Sequence, residues 1–217
     1  WYRKGYELLP QLGLAETQSQ TLEARVLLPL GGAERSHGDY MSAEDRFERV
    51  LHLGEALNDG TLICSALDRM ALVMIDTGRL ERALSLATRY LDRARRDEDP
   101  AAQAMALRLR GVIRREMNGP AAGIRDLEDA LHVAGTLPEM ADARARIAIA
   151  LSYAYTEAGD YAAGLSWAQW GLDLSRDEGI VELEPSFLIN ISMAQFLRGR
   201  PDLTLRSESE AMEICDA

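Results

Sequence analysis

Lysine is almost missing from this sequence: Lys4 stands alone against 23 arginines. Histidine and cysteine are nearly as scarce, with three and two copies. Cys64 and Cys215 lie far apart with no CxxC or other metal-ligand spacing, so neither a disulfide framework nor a zinc site is indicated. His37, His52 and His132 are too scattered to form a metal cluster. No apolar run approaches the ~18 residues that a bilayer-crossing helix requires. The chain also lacks a GxxxxGK[ST] loop, a dinucleotide-type glycine fingerprint, HExxH and GxSxG. These absences argue against nucleotide, metallopeptidase and hydrolase chemistry, so the expectation is a non-enzyme without a cofactor. Carboxylates are plentiful, but on amphipathic helices they form the wet face. A net charge of −11 argues against nucleic acid as a direct ligand of this segment, since phosphate binding needs a basic stripe. The N-terminus shows no secretory pattern, and a cytoplasmic location without membrane contact is expected. The arginine bias points to a GC-rich bacterial source.

What is present is a repeat. Gly38-Asp39-Tyr40, Gly78-Arg79-Leu80, Gly119-Pro120, Gly159-Asp160-Tyr161 and Gly199-Arg200-Pro201 recur every 40 or 41 residues. A fixed period of this length indicates an all-α solenoid of antiparallel helix pairs, in which each unit buries its apolar face against its neighbours. The whole chain, 1–217, then reads as one solenoid. Residues 1–20 would be the trailing helix of a preceding repeat, with Trp1 to Leu12 as its core. Five repeats follow at 21–60, 61–100, 101–140, 141–184 and 185–217, the last an end cap or cut short. Because the first helix lacks its partner, a segment of a longer protein is expected.

In each unit a helix A precedes the turn and a helix B follows it. Helix A of the first unit is expected from about Leu22 to Ser36, and Pro29 within it should kink or break it. Ala43, Phe47, Val50, Leu51, Gly54 and Leu57 form the buried stripe of the first helix B. Pro120 and Pro201 each fit the first turn of a helix B, where a missing N–H is no loss. Asp97-Glu98-Asp99 has the look of a metal site only in isolation, and a solvated loop is the simpler reading. The last helix B puts Glu208 and Thr204 where other units have Phe47 and Ala43, as a capping element or a cut end would.

Aligned on the turns, small residues recur in helix A at Gly31, Ala71, Gly111 and Ser152. Helix B repeats Ala43, Ala83, Gly123 and Gly164, then Phe47, Ala87, Leu127 and Ala168, then Val50-Leu51, Tyr90-Leu91, Ala130-Leu131 and Gly171-Leu172. This pattern resembles the tetratricopeptide repeat, although the units are longer than that family's usual ones. Long units of this kind are similar to those in the sensor regions of bacterial multidomain regulators such as maltose-regulator-type activators, in related signalling ATPases and in kinesin light chains. The resemblance implies a right-handed superhelix whose concave face is lined by helix A.

Carried over unit by unit, the family's groove positions fall on Arg25, Leu28, Arg35, Asp68, Leu72 and Ile75 in the first two repeats. In the third and fourth they are Met105, Arg108, Val112, Arg115, Arg146, Ile149 and Tyr153, and in the fifth Ser186, Ile189, Met193 and Phe196. Arginine suits a bidentate hold on a carboxylate, and the aliphatic and aromatic residues would supply apolar anchors. The implied function is a protein or peptide interaction module taking an acidic-apolar segment, with other domains of the same polypeptide as further partners. A homodimer is also compatible with the pattern. Two alternatives remain: the arginines pair with Asp68, Asp76, Glu116 and Glu157 and hold the units in register, or the groove senses a small molecule or signalling peptide and controls an attached effector. Trp167 and Trp170, one turn apart on helix B of the fourth unit, mark an outer-face contact or pack under the loop from Asp177 to Glu184.

Overall fold

The computed structural model describes residues 4, 6, 15–136 and 138–216. Among them there is no strand. The helices are α1 (Glu16–Ser36), α2 (Tyr40–Leu57), α3 (Gly60–Asp76), α4 (Leu80–Arg96), α5 (Pro100–Asn118), α6 (Ala121–Ala134), α7 (Ala141–Glu157), α8 (Tyr161–Glu178), α9 (Glu184–Leu197) and α10 (Pro201–Asp216). Short 3-10 turns at Pro138–Met140 and Val181–Leu183 lead into α7 and α9. The chain clusters into two compact units, 1–102 and 103–217. The expected helix around Trp1 to Leu12 lies outside the described residues apart from Lys4 and Tyr6.

The periodic glycines stop each helix A by one geometry. Gly38 has φ +80°, and its N–H donates to the Arg35 carbonyl at 2.9 Å while that of Asp39 donates to Glu34 at 2.9 Å. The same pair of bonds recurs at Gly78, Gly159 and Gly199. Two orphan carbonyls at the helix end are satisfied each time, and the positive φ is cheap only for glycine. The third turn differs: Gly119 donates to Arg115 at 2.9 Å, but Pro120 has no N–H for the second bond. Pro120 stands at the N-cap of α6, whereas Pro201 is the first residue of α10. The two prolines are therefore one place out of register, a correction to their expected equivalence.

Aspartates open the next helices. Asp39, Asp59 and Asp160 accept from the backbone N–H of Ser42, Leu62 and Ala163 at 3.2, 3.1 and 3.0 Å. Asp99 does the same for Ala102 at 2.9 Å, so one member of the acidic loop is a helix cap.

Helix α1 departs from expectation twice. It starts at Glu16 rather than near Leu22, and Pro29 does not break it. Proline removes one N–H and leaves the carbonyl four residues back without a donor. That residue, Arg25, is exposed, so solvent can take the bond.

In the α5–α6 and α7–α8 hairpins, small residues let the two backbones approach closely. A Cβ built on Gly123 would lie 2.2 Å from the Gly111 carbonyl oxygen, and one on Gly111 would lie 2.8 Å from the Leu127 side chain. Gly164 faces Thr156 at 2.1 Å in the same sense, and Gly171 receives the Phe187 ring of the following hairpin at 2.1 Å. Around these contacts lie fully buried Phe47, Leu67, Met74 and Leu91 in the first unit, with Leu127, Ile147, Leu151 and Phe187 in the second. Gly32 has open space around its Cβ position.

Gly123→Ala, which meets backbone and not a yielding side chain, is expected to destabilise the chain by about 2 kcal/mol or more. Gly32→Ala should stabilise it by roughly 0.5–1 kcal/mol through helix propensity. Urea unfolding followed by circular dichroism tests both, and equal shifts for the two variants would contradict the close-approach account.

Candidate functional site

The helix-A positions singled out in the sequence fall into two groups, one in each compact unit. In the first unit, Leu28 of α1 and Leu72 and Ile75 of α3 are half-buried, while Arg25 is exposed. Arg35 reaches from α1 to α3, donating from Nε and Nη2 to Asp76 at 2.6 and 3.3 Å. Asp68 is half-buried with the Arg69 guanidinium 4.0 Å away.

In the second unit, the guanidinium of Arg115 on α5 lies over the Tyr153 ring of α7, 4.4 Å from its centroid. The same group is 3.5 Å from the Glu157 carboxylate and donates to Glu116. Burial first, and the Glu157 charge second, push the Tyr153 phenol above its ordinary pKa. Cation, ring and carboxylate thus hold one another in a fixed place. Met105, Arg108, Val112 and Ile149 are half-buried on the same helices, and Arg146 pairs with Asp142 one turn earlier at 2.8 Å. On α9, Met193 is half-buried and Ile189 and Phe196 are exposed at 57% and 60%. The face therefore passes from arginine on α5 to bare apolar side chains on α9.

Arg35–Asp76 and Arg115–Glu157 occupy the same places in their repeats: an arginine four residues after the small helix-A residue reaches an acid five residues after the next one. Two of the five predicted groove arginines are thus tied across neighbouring helices, and Arg146 is tied within its own helix.

The structure adds a charge cluster that sequence reasoning missed. Asp126 of α6 is buried and accepts from Arg110 at 2.9 and 2.7 Å and from Arg114 at 2.8 Å. In the first hairpin, the matching places hold Glu34 and Arg46, 3.5 Å apart, with the charges exchanged. In the second they hold Met74 and Leu86, both buried. The signal was available: complementary residue types twelve apart across the first three turns.

Other candidates resolve less sharply. Trp167 is half-buried and Trp170 is 38% exposed, and their rings meet edge to face at 5.6 Å and 88°. Among the described residues no group of three or more His, Cys, Asp or Glu could hold a metal ion, and no helix is long and apolar enough to cross a membrane. A polar cleft beside Cys64 is lined by Thr61, Arg93 and Asp97, with Arg93 donating to Asp97 at 2.6 Å. Burial pushes the Cys64 thiol up to about 11, so it stays protonated and poorly nucleophilic near neutrality.

Asp126→Ala leaves two arginines beside an empty buried position, and a loss of about 3 kcal/mol is expected in urea unfolding. A loss below about 1 kcal/mol would show that the cluster contributes little. Cys64 has its folded pKa raised from 9.0 to about 11, so its share of stability is complete below pH 9 and is lost as pH rises towards 11. The Cys64→Ala variant should lose less stability across that window than the parent chain, as read by thermal melts at successive pH values.

No protein-family model and no curated protein matches the chain. Solved structures do. BtubC (BKLC) from P. vanneervenii superposes with a TM-score of 0.74 at 16% identity, over 99% of this chain and 88% of that one. A Rap protein in complex with competence and sporulation factor gives 0.78 at 14% identity, over 97% of this chain and 58% of that one. A Signal Transduction ATPase with Numerous Domains from Pyrococcus horikoshii, which has a tetratricopeptide repeat sensor, gives 0.72 at 16% identity, over all of this chain and 33% of that one. At such identities the likeness is one of fold. The chain is a tetratricopeptide-like array of helical hairpins.

Proposed function

We propose that the chain is a non-catalytic module that binds a protein or peptide segment on the helix-A face of its second unit. The observation that carries this reading is the Arg115 guanidinium held over the Tyr153 ring, beside half-buried Val112, Ile149 and Met193 and exposed Ile189 and Phe196. A preset arginine next to apolar side chains suits a segment with a carboxylate and one or two large apolar residues. Because the groups are already placed, little ordering cost attends binding. Arg25, Leu28, Arg35, Asp68, Leu72 and Ile75 form the corresponding face of the first unit. Trp167 and Trp170 of α8 offer a separate contact on the helix-B side, with Trp170 partly open to it.

We place this module in the cytoplasm as part of a larger bacterial regulatory or signalling protein, with other domains of that polypeptide and a second copy as further partners. Support comes from the fold neighbours. One is a Rap protein carrying competence and sporulation factor, and another is a multidomain ATPase of which the matching part is a fraction. The repeat sensor named in that ATPase also supports the second reading, in which a small signalling ligand occupies the face and controls an attached effector.

The test is capture from the source cell's lysate by the chain and by an Arg108→Ala/Arg115→Ala double variant, with melting curves of both. A partner held by the parent and lost, at least tenfold, by a still-folded variant supports the face as the site. Equal capture by both rejects it. Loss of stability without loss of the partner would leave these arginines as ties between helices.

A further inference from the structure

One pair of places, 26 residues apart, links helix A to helix B on the helix-B side of a hairpin. In the first repeat it holds Glu23 and Arg49, and Arg49 donates to the Glu23 carboxylate at 2.8 and 3.0 Å. In the fifth it holds Glu184 and Glu210, and Arg176 of α8 pairs with both. In the fourth it holds Arg144 of α7 and Trp170 of α8. A cation here faces an indole where the first repeat sets an arginine against an acid. The Nε of half-buried Arg144 is closed off from solvent and donates to no acceptor. Among the described residues no carboxylate pairs with its guanidinium.

The neighbouring helix B is short at the same spot. Arg89 of α4 meets Glu55 of α2 at 3.8 Å, and Glu210 of α10 meets Arg176 of α8, so this helix-B place is answered by a charged side chain of the preceding helix B. For Trp170 the answering residue is Gly135. Helix α6 has 14 residues where the other helices B have 16 to 18, and it has ended at Ala134. Gly135 has φ +57° and nothing within 4 Å of its Cβ position. Trp170 is accordingly 38% exposed, while its edge-to-face contact with Trp167 holds the ring. Helices α6 and α10 stand before and after α8, so the gap belongs to the interior of the array and not to its end.

We propose that this gap binds a peptide segment that sets an aspartate or glutamate against Arg144 and an adjacent large apolar side chain over the Trp170 indole. The proposal rests on Trp167 and Trp170 being a helix-B contact and is independent of the helix-A face. A half-buried guanidinium whose Nε has already lost its water regains a charge-assisted hydrogen bond from an incoming carboxylate. The ligand's acid does for Arg144 what Glu23 does for Arg49. A braced indole offers flat apolar area at little ordering cost. Asp173, one turn beyond Trp170, accepts from Gln169 at 2.9 Å, and its charge turns a ligand's carboxylate towards Arg144.

The probes are three blocked tripeptides: acetyl-Phe-Glu-Phe-amide, the same peptide with Gln for Glu, and acetyl-Ala-Glu-Ala-amide. The readout is the indole N–H signal of Trp170 in the nitrogen-15 spectrum of the 217-residue chain, assigned by its loss in Trp170→Phe. The first peptide should shift that signal saturably, and each of the other two should bind about tenfold more weakly. Arg144→Gln should make the Glu and Gln peptides equal, whereas Arg144→Lys keeps a preference for Glu. Arg115→Ala should leave the shift unchanged. No saturable shift overturns the proposal, and so does a preference for Glu that survives Arg144→Gln. Equal affinity of the Glu and Gln peptides for the parent chain overturns it without any variant, and with a saturable shift it would leave the tryptophan pair as a purely apolar contact. A shift lost in Arg115→Ala would move the peptide to the helix-A face, and a dimer in sedimentation that Trp170→Ala dissociates would assign the gap to a second copy. Either result also overturns it. The helix-A face stands or falls separately, on the Arg108→Ala/Arg115→Ala variant.

Discussion

Close approach of paired helices at small residues is the constraint on which the rest of the structure depends. Where Gly111 meets Gly123, an added Cβ would sit 2.2 Å from a carbonyl oxygen, closer than any atom pair can tolerate. With the helices drawn together at these small residues, large ones fill the space beside them. Leu127 rests on Gly111 inside its own hairpin, and Phe187 of the following hairpin fills the space left by Gly171. The glycine at each turn serves the same end by another route. Its positive φ closes helix A with one or two hydrogen bonds in two or three residues, so helix B must return along its partner. A rigid return of this kind orients every side chain on the helix-A face.

Charge is used in a second, more selective layer. The place that joins helix A to helix B within a hairpin is filled by Glu34 with Arg46, by Met74 with Leu86, and by Arg114 with Asp126. Each helix thereby fits its own partner better than a partner from another repeat, because a mismatch would bury an uncompensated charge. The ties between successive hairpins, Arg35 with Asp76 and Arg115 with Glu157, are more open to water and contribute less to stability. Their consequence is positional. They fix the places of the guanidinium groups on the helix-A face.

The same logic shows in the second unit. On its helix-A face Arg115 is stacked on Tyr153 and paired with Glu157, so its guanidinium has a fixed place. On α10, by contrast, Leu205 and Met212 are exposed apolar side chains with no such partners of charge.

Fold class, the helical hairpins, their turns and their buried stripes were legible in the sequence, because glycine spacing and 3.6-residue periodicity act within one hairpin. Phe47, Leu91 and Leu172 could be placed in the core from spacing alone. Local patterns failed where a neighbouring element decided the outcome. Pro29 stays inside an unbroken helix, where exposed Arg25 leaves the orphaned carbonyl within reach of solvent, and Pro120, one place nearer its glycine than Pro201, costs the third turn a hydrogen bond. Asp126 reads as surface charge until Arg110 and Arg114 close over it. The sequence by itself determined which residues are repeated and which stripes are apolar, since those depend on short-range geometry. Only the tertiary structure decided which arginines are tied, which ring lies under Arg115 and which acid is buried between two guanidinium groups, since those depend on what packs against each side chain from elsewhere in the chain.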